Sequence, residues 1–219
     1  MTMGDERALP AAMFRRIDES PDAEFYSFPR FVTHIDDGAI AAVTQLYREW
    51  LPPGGAVLDL MSSWISHLPP EVAYRRVVGL GMNAEELGRN PRLDAWIVHD
   101  LNAEPALPFA TGEFDAAAIC VSVDYLVHPV AVLRDLGRVV RPGGPVVITF
   151  SNRCFPTKTV AAWRISDDAE HVELVARFLR GAGCWTAIEC LDRSPADGDP
   201  LWGVVARVAA PGAGAPRGD

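Results

Sequence analysis

The sequence predicts an α/β protein organised on a doubly wound, seven-stranded sheet that is mostly parallel and carries an antiparallel edge strand. Three observations predict it. Ala56-Val57-Leu58-Asp59-Leu60 is a short apolar run bounded by Pro52-Pro53-Gly54-Gly55, and its lack of polar alternation marks a strand buried on both faces, as in parallel sheets covered by helices. The unit then repeats as strand, polar tip, crossover and next strand, and right-handed crossovers set such strands side by side in one sheet. Finally, the closing runs 185–191 and 201–208 are joined by the turn-rich residues 192–200 instead of a helix, which pairs them antiparallel at one edge.

Taken in order, residues 1–24 read as a flexible N-terminus, residues 25–209 as a single domain and residues 210–219, rich in Gly, Ala and Pro, as a disordered tail. Residues 25–37 are dense in aromatics and read as a lid over a pocket or as a segment packed on the core. Asp36 or Asp37 caps a helix over 38–50, whose Ile40, Val43, Leu46 and Tyr47 recur at helical spacing. After the first strand, residues 62–67 read as a short helical turn that Pro69-Pro70 interrupts. Strands follow over 76–80, 95–99, 114–121 and 145–150, with helical stretches over 84–87, from Pro129 to the Arg141-Pro142-Gly143-Gly144 turn, and over 167–180. An acid or polar residue stands at most strand ends: Asp59, Asn83, Asp100, Ser122, Asp124 and Asn152. Strand ends are where open α/β sheets bind ligands.

Composition narrows the partners. A net charge of −9 over 219 residues argues against a nucleic acid, whose binding relies on Lys and Arg neutralising phosphates. A small molecule or a protein is the expected partner; no apolar run is long enough to span a bilayer, so the expectation is a cytoplasmic protein with no membrane partner. Cys120, Cys154, Cys184 and Cys190 form no C-x-x-C pair and no Cys/His ligand spacing, so no metal site is expected. Cys120 and Cys190 read as buried small hydrophobes.

Val57-Leu58-Asp59-Leu60, Leu107-Pro108-Phe109 through Phe114-Asp115, and above all Leu136-Gly137-Arg138-Val139-Val140-Arg141-Pro142-Gly143-Gly144 resemble the class I S-adenosylmethionine-dependent methyltransferases, in particular the methyltransferase type 11 group. The resemblance spans about 47–208. It implies a Rossmann-like domain, S-adenosylmethionine as cofactor and methyl transfer to a small-molecule acceptor. It further implies that a glycine-rich loop after the first strand meets the amino-acid end of the cofactor, that an acid after the second strand holds the ribose, and that a polar residue after the third meets the adenine. Asp59 and Asp100 match the pattern, with Leu101 beside the latter. The loop instead reads Met61, Ser62, Ser63, Trp64, Ile65, and the ribose acid falls at Gly81.

Within that resemblance the cofactor-contacting residues are Asp59, Met61, Ser62, Ser63, Asn83, Asp100, Leu101 and Ser122. Ser62 and Ser63 bring small hydroxyls in place of glycines, and Asn83 stands near the missing acid. Tyr26 and Trp64 offer aromatic faces to a sulfonium or substrate, and Asn152 and Arg153 offer a fork to an acidic substrate group. His34 is the candidate base, and Asp124 with Tyr125 follows the fourth strand, where the family places substrate-facing residues. For each there is a plainer alternative: core packing for the aromatics, a structural hydrogen bond for His34, a helix cap for Asp124. The competing function is a catalytically inactive protein of the same fold that binds a ligand or a partner. A nicotinamide enzyme fits less well, since G-x-G-x-x-G is absent after the first strand, and covalent chemistry on Cys154 lacks a histidine near in sequence.

Overall fold

The computed structural model describes residues 9–210. Its secondary structure runs α1 (Asp22–Phe25), α2 (Asp37–Trp50), β1 (Ala56–Leu60), β2 (Arg76–Gly81), α3 (Ala84–Arg89), β3 (Ala95–Val98), β4 (Ala116–Cys120), α4 (Pro129–Val139), β5 (Pro145–Phe150), α5 (Ala161–Ile165), α6 (Asp168–Ala182), β6 (Trp185–Asp192) and β7 (Trp202–Val208). The strands form one sheet in the order β3-β2-β1-β4-β5-β7-β6. β1 to β5 pair in parallel, while β7 runs antiparallel between β5 and β6. This is the mostly parallel α/β sheet, with an antiparallel pair at one edge, that the sequence predicts.

Alternate residues of the central strands feed two apolar layers. Leu58, Leu60, Ile119 and Ile148 pack with Val132, Leu133 and Leu136 of α4 and Val175 and Leu179 of α6. Val57, Ala118 and Val147 pack on the other face with Val43, Leu46 and Tyr47 of α2. Local chemistry fixes the helix ends: the Asp36 carboxylate accepts from Ala39 N at 2.9 Å at the start of α2, Pro129 opens α4, and Asp167 with Glu170 makes a capping box on α6. Between α4 and β5, Gly144 is required because a Cβ there would lie 2.6 Å from the Asp115 carbonyl oxygen.

Three expectations change. Residues 62–67 form no helical turn: Ser62 and Ser66 are held to Asp59 by side-chain hydrogen bonds, and the chain stays irregular up to β2. Residues 9–24, expected to be flexible, are anchored. Leu9, Met13 and Phe14 pack on the core, Arg16 and Asp22 form a buried ion pair at 2.6 Å, and the fully buried Lys158 donates to Ser20 O at 2.7 Å and pairs with Asp18 and Asp22. The remainder of that expectation, residues 1–8, and the tail 211–219 lie outside the described residues. Cys190 is exposed on the edge strand β6, because β6 has a neighbour on one side only. None of the helices among the described residues is long and apolar enough to cross a membrane.

Candidate functional site

Strand order reverses between β1 and β4, and a cavity of about 430 Å³ opens at the carboxyl ends of the strands there. Its walls are the turn after β1 (61–63), the tips of β2 (81–83) and β3 (99–102), the tip of β4 (120–122), Tyr125, and the loop after β5 (152–155). The N-terminal segment closes over it with Tyr26, Arg30 and His34. The volume lies in the range of small-molecule sites.

The turn after β1 is built from beneath. Asp59 is 4% exposed, and its Oδ2 accepts both the Ser62 and the Ser66 hydroxyls at 2.6 Å. Asn90 donates to Ser66 Oγ and to Ser63 O. Burial pushes the Asp59 carboxyl up to about 6, which the two serine donors oppose. Met61 adopts a left-handed φ of 60°, a conformation glycine reaches without strain. Ser62 N then donates to Leu80 O at 2.8 Å, drawing the turn across the tip of β2. A Cβ on Gly81 would collide with the Ser62 carbonyl oxygen, so no acid fits at 81.

The nearest replacement lies one turn further on. Asn83 caps α3, its Oδ1 accepting from Glu85 N and Glu86 N, while its Nδ2 donates to Tyr26 O at 2.8 Å. Its side chain is thereby engaged. Glu86 lines the cavity and is buried. One carboxylate oxygen accepts from Ser63 Oγ at 2.6 Å and the other from Arg30 N at 2.7 Å, and each retains a lone pair. Nothing local in the sequence marks Glu86, an acid in the short helical stretch after β2; its role comes from Ser63 and Arg30, distant in sequence.

On the opposite wall, Asp100 Oδ1 accepts from Asn102 N and Ala103 N, an Asx turn that fixes the β3 tip. Leu101 stands beside it. His99 Nε2 lies 2.8 Å from Glu104 O. At the β4 tip Ser122 is buried and its hydroxyl has no partner among the described residues. Val121 before it has φ 42°, a conformation rare for a β-branched residue. Backbone strain of this kind gathers at functional sites.

The cap and the loop after β5 form the remaining end. Phe155 meets Phe25, His34 and Tyr125, and its amide donates to Tyr125 Oη at 2.8 Å. Burial holds His34 below the ordinary histidine value, so it is neutral at pH 7. Burial also drives the Tyr125 and Tyr26 hydroxyls upward, which leaves neither as a base. Cys154 lines the cavity with its thiol likewise raised by burial.

The structure thus brings His34, Tyr125, Met61, Ser62, Ser63, Asn83, Asp100, Leu101, Ser122, Tyr26, Asn152 and Arg153 to one cavity. Three expected residues stand elsewhere. Asp59 lies beneath the turn and acts through Ser62 and Ser66. Trp64 points to the cap, donating Nε1 to Val32 O and meeting Phe31 edge-on. Asp124 is buried behind the wall, accepts from Thr159 Oγ1, and burial lifts its carboxyl to about 7. Glu86 and Arg30 complete the set. Among the described residues no cluster of His, Cys, Asp and Glu is arranged to hold a metal.

Comparison with known proteins agrees with this geometry. A family model described as a methyltransferase domain matches residues 63–148; the match starts just past Met61 and Ser62. Among solved structures, a chain from the complex between the Haloferax volcanii Trm112 methyltransferase activator and a methyltransferase aligns with TM-score 0.61 at 17% identity, covering 80% of this chain and 91% of that one. The [4+2]-cyclase SpnF aligns with TM-score 0.61 at 17% identity over 85% and 91%. Haemonchus contortus phosphoethanolamine N-methyltransferase 2 in complex with S-adenosyl-L-methionine aligns with TM-score 0.57 at 13% identity, over 78% of this chain and 52% of that one. No curated protein matches. The fold is the class I methyltransferase fold. Residues 63–148 thus match a methyltransferase-domain family model, and the fold around them is that of S-adenosylmethionine-dependent methyltransferases. A cyclase on the same fold is a reminder that the reaction must be argued from the site.

Proposed function

We propose that this protein is an S-adenosylmethionine-dependent methyltransferase acting on a small-molecule acceptor. The observation that carries the reading is the unpartnered, buried Ser122 hydroxyl on the wall of a cavity at the switch point of the sheet. A buried hydroxyl left without a partner costs free energy that a ligand hydrogen bond recovers. The lining fits an adenosine-bearing cofactor: Asp100, Leu101 and Ser122 on one wall, Ser63 and Glu86 on the other, with the Glu86 carboxylate as the acceptor standing in for the acid that Gly81 excludes. When bound, S-adenosylmethionine supplies an electrophilic methyl group.

The protein's own work is positioning and exclusion of water. Tyr26, Phe155 and Tyr125 give the acceptor end apolar walls, and the cap, tied down by Lys158 and by Arg30 N on Glu86, covers it. His34, neutral and beside Phe155, takes the proton from an acceptor that must lose one.

Calorimetric titration with S-adenosylhomocysteine tests the reading. Micromolar affinity is expected for the wild type, weakened about tenfold in Glu86→Gln and less in Ser122→Ala. Absence of heat and of a thermal shift at millimolar ligand would sink it. A second reading, a subunit of this fold that binds without turnover, is favoured by the Ser62 carbonyl closing over Gly81. It predicts homocysteine-analogue binding with no methyl transfer to any member of an acceptor panel.

A further inference from the structure

Arg30 is an unusual group to find on this cavity. It lines the wall, and its guanidinium lies 4.5 Å from the Phe25 ring centre and 5.5 Å from that of Phe155. Its recorded donors go to backbone carbonyls, Phe25 O at 2.9 Å and Phe28 O at 3.4 Å. No carboxylate among the described residues lies within ion-pair distance of it. The neighbouring acids are engaged: Asp22 takes both oxygens to Arg16 and also meets Lys158 and Asn102, and Glu86 accepts from the Arg30 backbone amide and from Ser63. This half-buried guanidinium has no counter-charge, and its planar fork matches a carboxylate or phosphate. On the loop that carries Phe155 stands Arg153, which also lines the cavity, 61% exposed and 3.8 Å from Asp199.

We infer that the Arg30 guanidinium, held between Phe25 and Phe155 and assisted by Arg153, is a subsite for an anionic group, a carboxylate or a phosphate, carried by the methyl acceptor. This rests on the proposed methyltransferase reading and narrows its substrate to anionic small molecules with an apolar portion, which Phe155 and Tyr125 flank. The placement of the cation favours the acceptor over the cofactor: the guanidinium packs on the loop after β5 and on the aromatic cap, while the residues proposed to meet the adenosine stand on the tips of β3 and β4.

Binding of phenyl phosphate, with benzamide as the neutral probe, tests the subsite without requiring turnover. Wild-type protein is expected to bind phenyl phosphate at least about tenfold more tightly than benzamide, and the preference to fall about tenfold in Arg30→Gln and by a smaller factor in Arg153→Gln. A wild type that does not prefer the phosphate overturns the inference, and that comparison needs no variant. S-adenosylhomocysteine and 5′-methylthioadenosine, which lacks the amino-acid carboxylate, separate the two sources of an anion. Unchanged affinity of Arg30→Gln for both supports the acceptor subsite; loss for S-adenosylhomocysteine alone assigns Arg30 to the cofactor and overturns it. Phenyl phosphate binding in a protein that ignores S-adenosylhomocysteine would retain the anion site and reject the methyltransferase reading.

Discussion

Replacing Asp59 by Asn is expected to stabilise this protein at neutral pH and to do nothing at pH 4. Asp59 is buried with no cation beside it, and both hydrogen bonds it receives come from neutral hydroxyls. Its carboxyl therefore ionises near 6 in the folded protein, against 3.8 for the ordinary value. The sign follows from proton counting. Between those two values the folded state binds more protons than the unfolded one, so stability falls as pH rises through this window, and the loss is complete above the folded value. The gap of about two pH units, at 1.36 kcal/mol each, corresponds to ~3 kcal/mol. An amide keeps an acceptor for Ser62 and Ser66 and never ionises. Urea unfolding of wild type and Asp59→Asn at intervals from pH 4 to 8 should give a stability difference that grows with pH by ~2–3 kcal/mol and then levels off. A difference independent of pH would refute the argument. Asp59→Ala serves as the contrast: it leaves the Ser62 hydroxyl unpaired and the Ser66 hydroxyl without its acceptor, and should be destabilising by about 1–3 kcal/mol at every pH.

Three further outcomes are expected. Restoring an acid by Gly81→Asp should lower the melting temperature and abolish S-adenosylhomocysteine binding, because its Cβ collides with the Ser62 carbonyl; improved binding would contradict the placement of that turn. Val121→Gly should change unfolding free energy by less than about 1 kcal/mol, since relief of a left-handed β-branched residue, about 1–2 kcal/mol, offsets the lost side-chain contacts; a loss above about 2 kcal/mol would mean the position is unstrained. Lys158→Met should cost about 1–3 kcal/mol by leaving the Ser20 carbonyl without its charged donor, Asp22 keeping Arg16 and Asn102, and should raise amide hydrogen exchange across residues 16–26 while leaving β1 and β4 protected; unchanged exchange in the cap would show that Lys158 does not hold it.

Much of the sheet was legible because burial on both faces writes itself as continuous apolar runs, and Pro and Gly mark their ends. Val57 to Leu60, Val146 to Phe150 and the R-P-G-G turn needed no tertiary information. What escaped has a common cause, namely contacts between residues far apart in sequence. Lys158 looks like an ordinary surface lysine until residues 18–22 wrap round it, 138 positions away from Ser20. Trp64 has the right position for a pocket residue, and only its bond to Val32 turns it toward the cap. Glu86 reads as part of a helix start until Ser63 and Arg30 are seen to claim its oxygens. Arg30 carries no local signal at all, being one basic residue in an aromatic stretch.

The geometry also changes how the departures from the family pattern should be weighed. From the sequence, the missing loop glycines and the missing acid at 81 count as two separate losses that favour an inactive protein, against the polar strand tips that favour a working, altered site. In the structure they are one. Asp59 pulls Ser62 and Ser66 down, Met61 takes the left-handed turn that this requires, and the Ser62 carbonyl arrives where a Cβ at 81 would stand. Once that turn is adopted, glycine at 81 is compulsory, and an acid can approach only from another element. Glu86 does so from the first turn of α3, held to the same turn through Ser63. On the proposed function, Glu86 takes the part of the acid that 81 cannot carry, and the walls hold the Ser122 hydroxyl without a partner and the Arg30 guanidinium without a counter-charge. On that proposal the rebuilt turn is an altered binding site, and the S-adenosylhomocysteine titration decides between it and a decayed one.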